Sequence, residues 1–145
     1  MKRKFTQGLI QPPSGGIPTG NTIRGWITTG TKRITLQIFV TCELAGALIQ
    51  LLEGSTQGAG GVAVTPVNLN RVEGDDPDFT LNVLATQGAA GDIISTIDAS
   101  GNEAMSPLLV DDFELAPSTT YEIAITNNNA GTNRVGINYL ITQDA

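Results

Sequence analysis

Histidine is absent from the 145 residues, and with it the only side chain whose unperturbed pKa lies near neutrality. That excludes Ser-His-Asp and Cys-His nucleophile pairs and every imidazole metal ligand. The lone cysteine, Cys42, rules out an intrachain disulfide and a thiolate zinc cluster. Lysine is nearly as scarce: Lys2, Lys4 and Lys32 complete the set, two of them at the very start. Uninterrupted apolar runs reach only a few residues, far short of the ~20 a membrane-spanning helix needs. Basic residues are missing altogether from 72 to 133, a stretch that carries eleven of the fourteen acids. A net charge of −6 and a sequence pI near 4.4 repel a polyanion, because nucleic-acid affinity comes from many phosphate-neutralising cations. Neither nucleic acid nor membrane is an expected partner, and the chain is not expected to be an enzyme.

The length fits one domain. Lys2, Arg3 and Lys4 resemble the start of a secretory leader, but the segment behind them is short, polar-interrupted and without an apolar stretch, so no cleaved signal is expected. Gly8, Pro12, Pro13, Gly15, Gly16, Pro18 and Gly20 crowd the first twenty positions and disfavour both helix and central strand. Residues 1–21 therefore read as an extended N-terminal arm and residues 22–145 as the folded domain. Phe5, Leu9, Ile10 and Ile17 are apolar anchors that a solvating tail does not need, and an arm carrying them is suited to ordering along a partner.

From Thr22 onward the apolar period is two. Over residues 32–42, Ile34, Leu36, Ile38, Val40 and Cys42 share one face while Arg33, Thr35, Gln37 and Thr41 share the other, a strand signature. Residues 47–53, 79–83, 121–126 and 135–141 repeat it, and 23–28, 62–67, 93–98 and 112–115 do so more weakly. Residues 43–52 compete as a helix through their Ala and Leu content, but Gly46 interrupts and strand is preferred. Gly, Pro, Asn and Asp clusters separate the runs. The Asn-rich segment 127–133 tolerates the positive φ that hairpin loops use, which predicts a hairpin over 121–141. The fold class is all-β, an antiparallel β-sandwich or small barrel.

Candidate sites are few. Glu73, Asp75, Asp76 and Asp78 crowd one loop and invite a calcium reading, with Asp111, Asp112 and Glu114 as further ligands if the fold joins the loops. The order of acids is not that of an EF-hand, and a solvated loop is preferred. Fourteen acids make accidental carboxylate pairs common, so glycosidase chemistry gains little support. Tyr121 and Tyr139 fall on inward positions, and Cys42 reads as a small buried hydrophobe. Gly58, Gly60 and Gly61 lack the Lys-Ser/Thr ending of a phosphate loop; flexibility is the simpler account. No catalytic, cofactor-binding or metal-ligating residue is assigned.

Leu51-Leu52-Glu53-Gly54-Ser55, Val64-Thr65-Pro66-Val67-Asn68-Leu69-Asn70-Arg71 and Ser118 to Asn128 with the closing run 135–141 resemble the small β-sandwich virion proteins that decorate, or cement, the heads of tailed bacteriophages. The resemblance spans roughly residues 45–142. It implies a jelly-roll-like sandwich, a homo-oligomer expected to be a trimer, bound to the major capsid protein on the capsid exterior after assembly in the host cytoplasm. It implies no cofactor and no catalytic residue. The N-terminal arm, through Lys2, Arg3, Lys4, Phe5, Leu9 and Ile10, is the expected capsid-binding element, so removal of residues 1–20 is expected to leave a folded oligomer that no longer decorates. The alternative is a tail-fibre or host-recognition module binding carbohydrate, which requires exposed aromatics or a metal-organised loop.

Overall fold

A computed structural model describes residues 2–8, 15–69, 76–99, 108–109 and 112–144. The strands are β1 (Lys2–Gly8), β2 (Thr22–Thr29), β3 (Ile34–Cys42), β4 (Ala47–Glu53), β5 (Thr56–Gln57), β6 (Val62–Val64), β7 (Val67–Asn68), β8 (Phe79–Val83), β9 (Gln87–Ala89), β10 (Asp92–Ala99), β11 (Leu108–Leu109), β12 (Phe113–Leu115), β13 (Thr120–Asn127) and β14 (Val135–Asp144). Among the described residues there is no helix; residues 47–53 are strand, as preferred.

Two antiparallel sheets form the sandwich. The first runs β11-β3-β14-β1-β7, with β12 also on β3; the second runs β10-β4-β13-β2-β8-β6. Period-two sequence produces this directly. In β3 the burial alternates strictly, and Ile34, Leu36, Ile38 and Val40 meet Ile49, Leu51, Ile123 and Ile125 of the other sheet in one core. Each large aliphatic withdrawn from water contributes about 1.5–3 kcal/mol.

Among the longer strands the chain changes sheet at nearly every step. β1, β3, β12 and β14 lie in the first sheet and β2, β4, β8, β10 and β13 in the second, so of these strands only β4, β8 and β10 follow one another in one sheet, and of those β4 and β10 are neighbours. The predicted hairpin over 121–141 is therefore not formed: β13 pairs with β2 and β4, whereas β14 pairs with β3 and β1. Residues 128–134 arch from one sheet to the other, and none of them takes a positive φ. Buried Asn127 holds the arch by donating from Nδ2 to the carbonyls of Ile17 and Gly131, both at 2.8 Å. Asn133 closes it against the β3–β4 turn, accepting from Leu44 N–H at 2.9 Å and donating to Leu44 O at 2.8 Å. An arch and a hairpin leave the same inward-facing pattern, so periodicity does not separate them. The weak run 62–67 splits too, into β6 of the second sheet and β7 of the first, with Pro66, which has no N–H to give a ladder, in the break.

The boundary drawn at residue 21 also differs. β1 pairs with β14 from Lys2↔Asp144 to Gly8↔Asn138 and touches β7 on its other side. Phe5 is 1% exposed and meets Phe79 edge-on, ring centroids 5.3 Å apart. Ile17 is fully buried and bridges to Asn133 through paired backbone bonds of 2.7 and 3.0 Å. Gly16 makes that approach feasible at φ +99, since a Cβ there would lie 2.8 Å from Asn133 O. Glycine and proline are dense only from Gly8 onward; averaging over twenty residues hid a strand in the first seven described ones.

Candidate functional site

The expected capsid-binding residues are divided by this architecture. Lys2, Arg3 and Lys4 lie in β1, Phe5 is in the core, and Leu9 and Ile10 lie outside the described residues. Deleting residues 1–20 removes a sheet strand together with the buried Phe5 and Ile17, so the truncation expected to spare the fold instead removes part of it.

Of the acidic loop, Glu73 and Asp75 lie outside the described residues and Asp76 is exposed. Asp78 is structural: its Oδ2 accepts from Lys32 N–H at 2.6 Å, and its own N–H donates to Gln143 Oε1 at 2.6 Å. The Lys32 bond holds the Asp78 carboxyl below its ordinary pKa. Asp111 lies outside the described residues, Asp112 is exposed, and Glu114 is paired with Arg33. No group of three or more Cys, Asp or Glu is placed to hold a metal among the described residues.

Cys42 is a buried free thiol whose pKa is raised by burial. The glycines near 58–61 serve close packing: Gly58 N–H donates to Thr86 O at 2.6 Å, and a Cβ on Gly61 would collide with Asn82 and Ala85. That crossing roofs the outer face of the second sheet. Trp26 and Glu122 sit side by side there at 1% and 0% exposure. Trp26 Nε1 donates to Ala85 O at 3.1 Å. Arg24 Nε and Gln87 Nε2 each donate to a different Glu122 oxygen at 2.7 Å. A fully buried carboxylate is tolerable only with such compensation, so this cluster belongs to the fold. Sequence reading passed it over because its members are remote in the chain.

The outer face of the first sheet is different. The outward positions are Thr35, Gln37, Phe39 and Thr41 on β3 and Gly136, Asn138, Leu140, Thr142 and Asp144 on β14, none of them buried, and only Asp144 at the strand end is charged. Registers such as Phe39↔Asn138 and Gln37↔Leu140 join them into one surface.

At one end of the sandwich, a pocket of about 380 Å³ opens between the sheets, lined by Arg33, Glu53, Glu114, Leu115, Ala116 and Pro117 among others. Tyr121 and Glu53 are direct cross-strand partners. The Tyr121 hydroxyl donates to Glu53 Oε1 at 2.6 Å and accepts from Ala116 N–H at 2.7 Å. Burial, followed by the bond to Glu53, pushes the Tyr121 phenol up to about 12. Arg33 engages Glu114 through two parallel contacts, Nε–Oε1 and Nη2–Oε2, both 2.6 Å. The turn beneath is set by Pro117 and by Ser118 at φ 51. Buried Thr29 locks it, donating to Ala116 O at 2.7 Å and accepting from Thr119 N–H at 3.0 Å. Sequence analysis named Glu114 only as a metal candidate, and Tyr121 only as a core residue.

No protein-family model matches the chain, and no curated protein matches it.

Proposed function

We propose that this chain is a non-enzymatic structural protein of a tailed-bacteriophage virion. It decorates the capsid exterior, bridges neighbouring major capsid subunits and acts as a homo-oligomer, with a trimer the expected form. The outer face of β3 and β14, uncharged except for Asp144 at one end, carries this reading. It combines Phe39 and Leu140 with Thr, Asn and Gln, and depletion of charge is what distinguishes the centre of a protein interface from ordinary surface. On the opposite face the patch around Trp26 and Glu122 is covered by the protein's own loops. β1, which contains Lys2, Arg3 and Lys4, pairs with β14 and so runs beside the open face. The alternation of sheets along the chain supports a jelly-roll winding, with two Greek keys and one pair of strands adjacent in sequence and space. Repeated weak contacts on a lattice gain strength from effective concentration when the subunits are joined.

The carbohydrate alternative lacks a stacking platform. Trp26, Tyr121, Tyr139, Phe5 and Phe79 are buried, and the remaining aromatics, Phe39 and Phe113, are half-buried.

Co-sedimentation with expanded heads of the phage that encodes the chain tests the proposal. Saturable binding at a fixed ratio to the capsid subunit is expected, and Phe39→Asp is expected to abolish it while circular dichroism stays unchanged. Absence of the protein from pelleted heads at saturating concentration refutes the reading.

A further inference from the structure

We propose that the pocket at the sandwich end is a receptor for one cationic side chain, the ammonium of a lysine or the guanidinium of an arginine, presented with its aliphatic stem by a partner protein. Nothing in this assignment depends on the lattice reading above.

Charge selects the ligand. Two carboxylates and one guanidinium line the pocket, and Arg33 is committed in bidentate fashion to Glu114. Glu53 is left without an ion-pair partner among the described residues, so the site carries one uncompensated negative charge. An anion is repelled by it. A hard metal ion wants six to eight oxygens, and the described residues place no such set here.

Geometry then fixes the head group. Tyr121 holds Glu53 by Oε1 and is itself held by Ala116 N–H, so the carboxylate is oriented before any ligand arrives. Among the described residues no hydrogen bond engages its Oε2, which can accept from an incoming N–H. Charge-assisted bonds of this kind are roughly twice as strong as neutral ones. The stem has its own surface: Leu115, Ala116 and Pro117 form an apolar wall beside the acid, and lysine and arginine bury their methylenes on such surfaces. A volume of about 380 Å³ is ample for one extended lysine or arginine side chain.

The test is an amide-resolved NMR titration of the full chain with N-acetyl-lysine methylamide, N-acetyl-arginine methylamide and the apolar control N-acetyl-norleucine methylamide. The two cationic probes are expected to shift the Ala116 and Tyr121 amides in proportion to concentration, with weak affinity, Kd on the order of 0.1–1 M for a single partly exposed pair, and to weaken as salt is raised. Norleucine is expected to leave them in place. Glu53→Gln keeps an acceptor for the Tyr121 hydroxyl and removes the charge, so binding is expected to fall by up to about fivefold. Glu114→Gln, on an exposed residue, frees Arg33 to neutralise Glu53 and is expected to weaken binding as well. Equal shifts from norleucine, or unchanged affinity in either variant, overturn the assignment.

Discussion

Replacing Phe5 by alanine separates a structural strand from a free arm. Phe5 is 1% exposed and stands edge-on to Phe79 at 5.3 Å and 83°. Emptying a site of that kind costs about 3–5 kcal/mol, the transfer of the ring plus the cavity left behind. Set against the roughly 5–15 kcal/mol that holds a domain together, that is a large share of the total. At about 3–4 °C per kcal/mol for a chain of this size, the melting temperature is expected to fall by about 10–20 °C. Urea titration followed by the fluorescence of Trp26 gives the measurement, since that indole is buried on the outer face of the other sheet and reports unfolding beyond the mutated site. The midpoint is expected to drop with an unchanged slope. Phe5→Leu, which keeps most of the apolar volume, is expected to lose less than about 1.5 kcal/mol. If Phe5→Ala unfolds within about 0.5 kcal/mol of the parent, then β1 contributes nothing to the fold and residues 2–8 are an arm after all.

Arg24→Ala leaves the buried Glu122 with only Gln87 as partner and is expected to cost about 3–5 kcal/mol, read from the same urea titration. Asn127→Ala removes one of two bonds to the Ile17 carbonyl, which keeps Asn133 N–H, and the bond to the Gly131 carbonyl; a loss of about 1–3 kcal/mol, with faster hydrogen exchange at Ile17 and Asn133, is expected. The Asp78 carboxyl is held below its unfolded pKa of about 3.9 by Lys32 N–H. Its contribution is therefore present above that value and fades as pH falls through the lower folded pKa; Asp78→Asn is expected to flatten the acid limb of stability against pH. The Tyr121 phenol is raised from 10.0 to about 12, so its contribution is full below pH 10 and disappears as pH climbs toward 12. Phenolate absorbance is expected to show neither tyrosine ionising near pH 10 in the folded protein, because burial raises Tyr139 as well.

The strands were legible because β-structure writes itself as a period of two, and β3 shows that pattern in its plainest form. β1 is obscured in the sequence by the glycines and prolines that follow it, and Phe5, an expected anchor, packs against Phe79. The pocket was not legible. Arg33 and Glu114 meet only because β12 lies on β3, and Glu53 meets Tyr121 only through the register of β4 with β13. Neither pairing has a local signature.

Composition and alternation by themselves determined that the chain folds as β-strands around one apolar core, and which face of most long strands looks inward. Which sheet each strand joins was decided only in three dimensions. Both sheets look into the same core, so an inward residue carries the same pattern in either one, and the choice rests on bonds between distant residues such as Asn127 with Ile17 and Asn133 with Leu44.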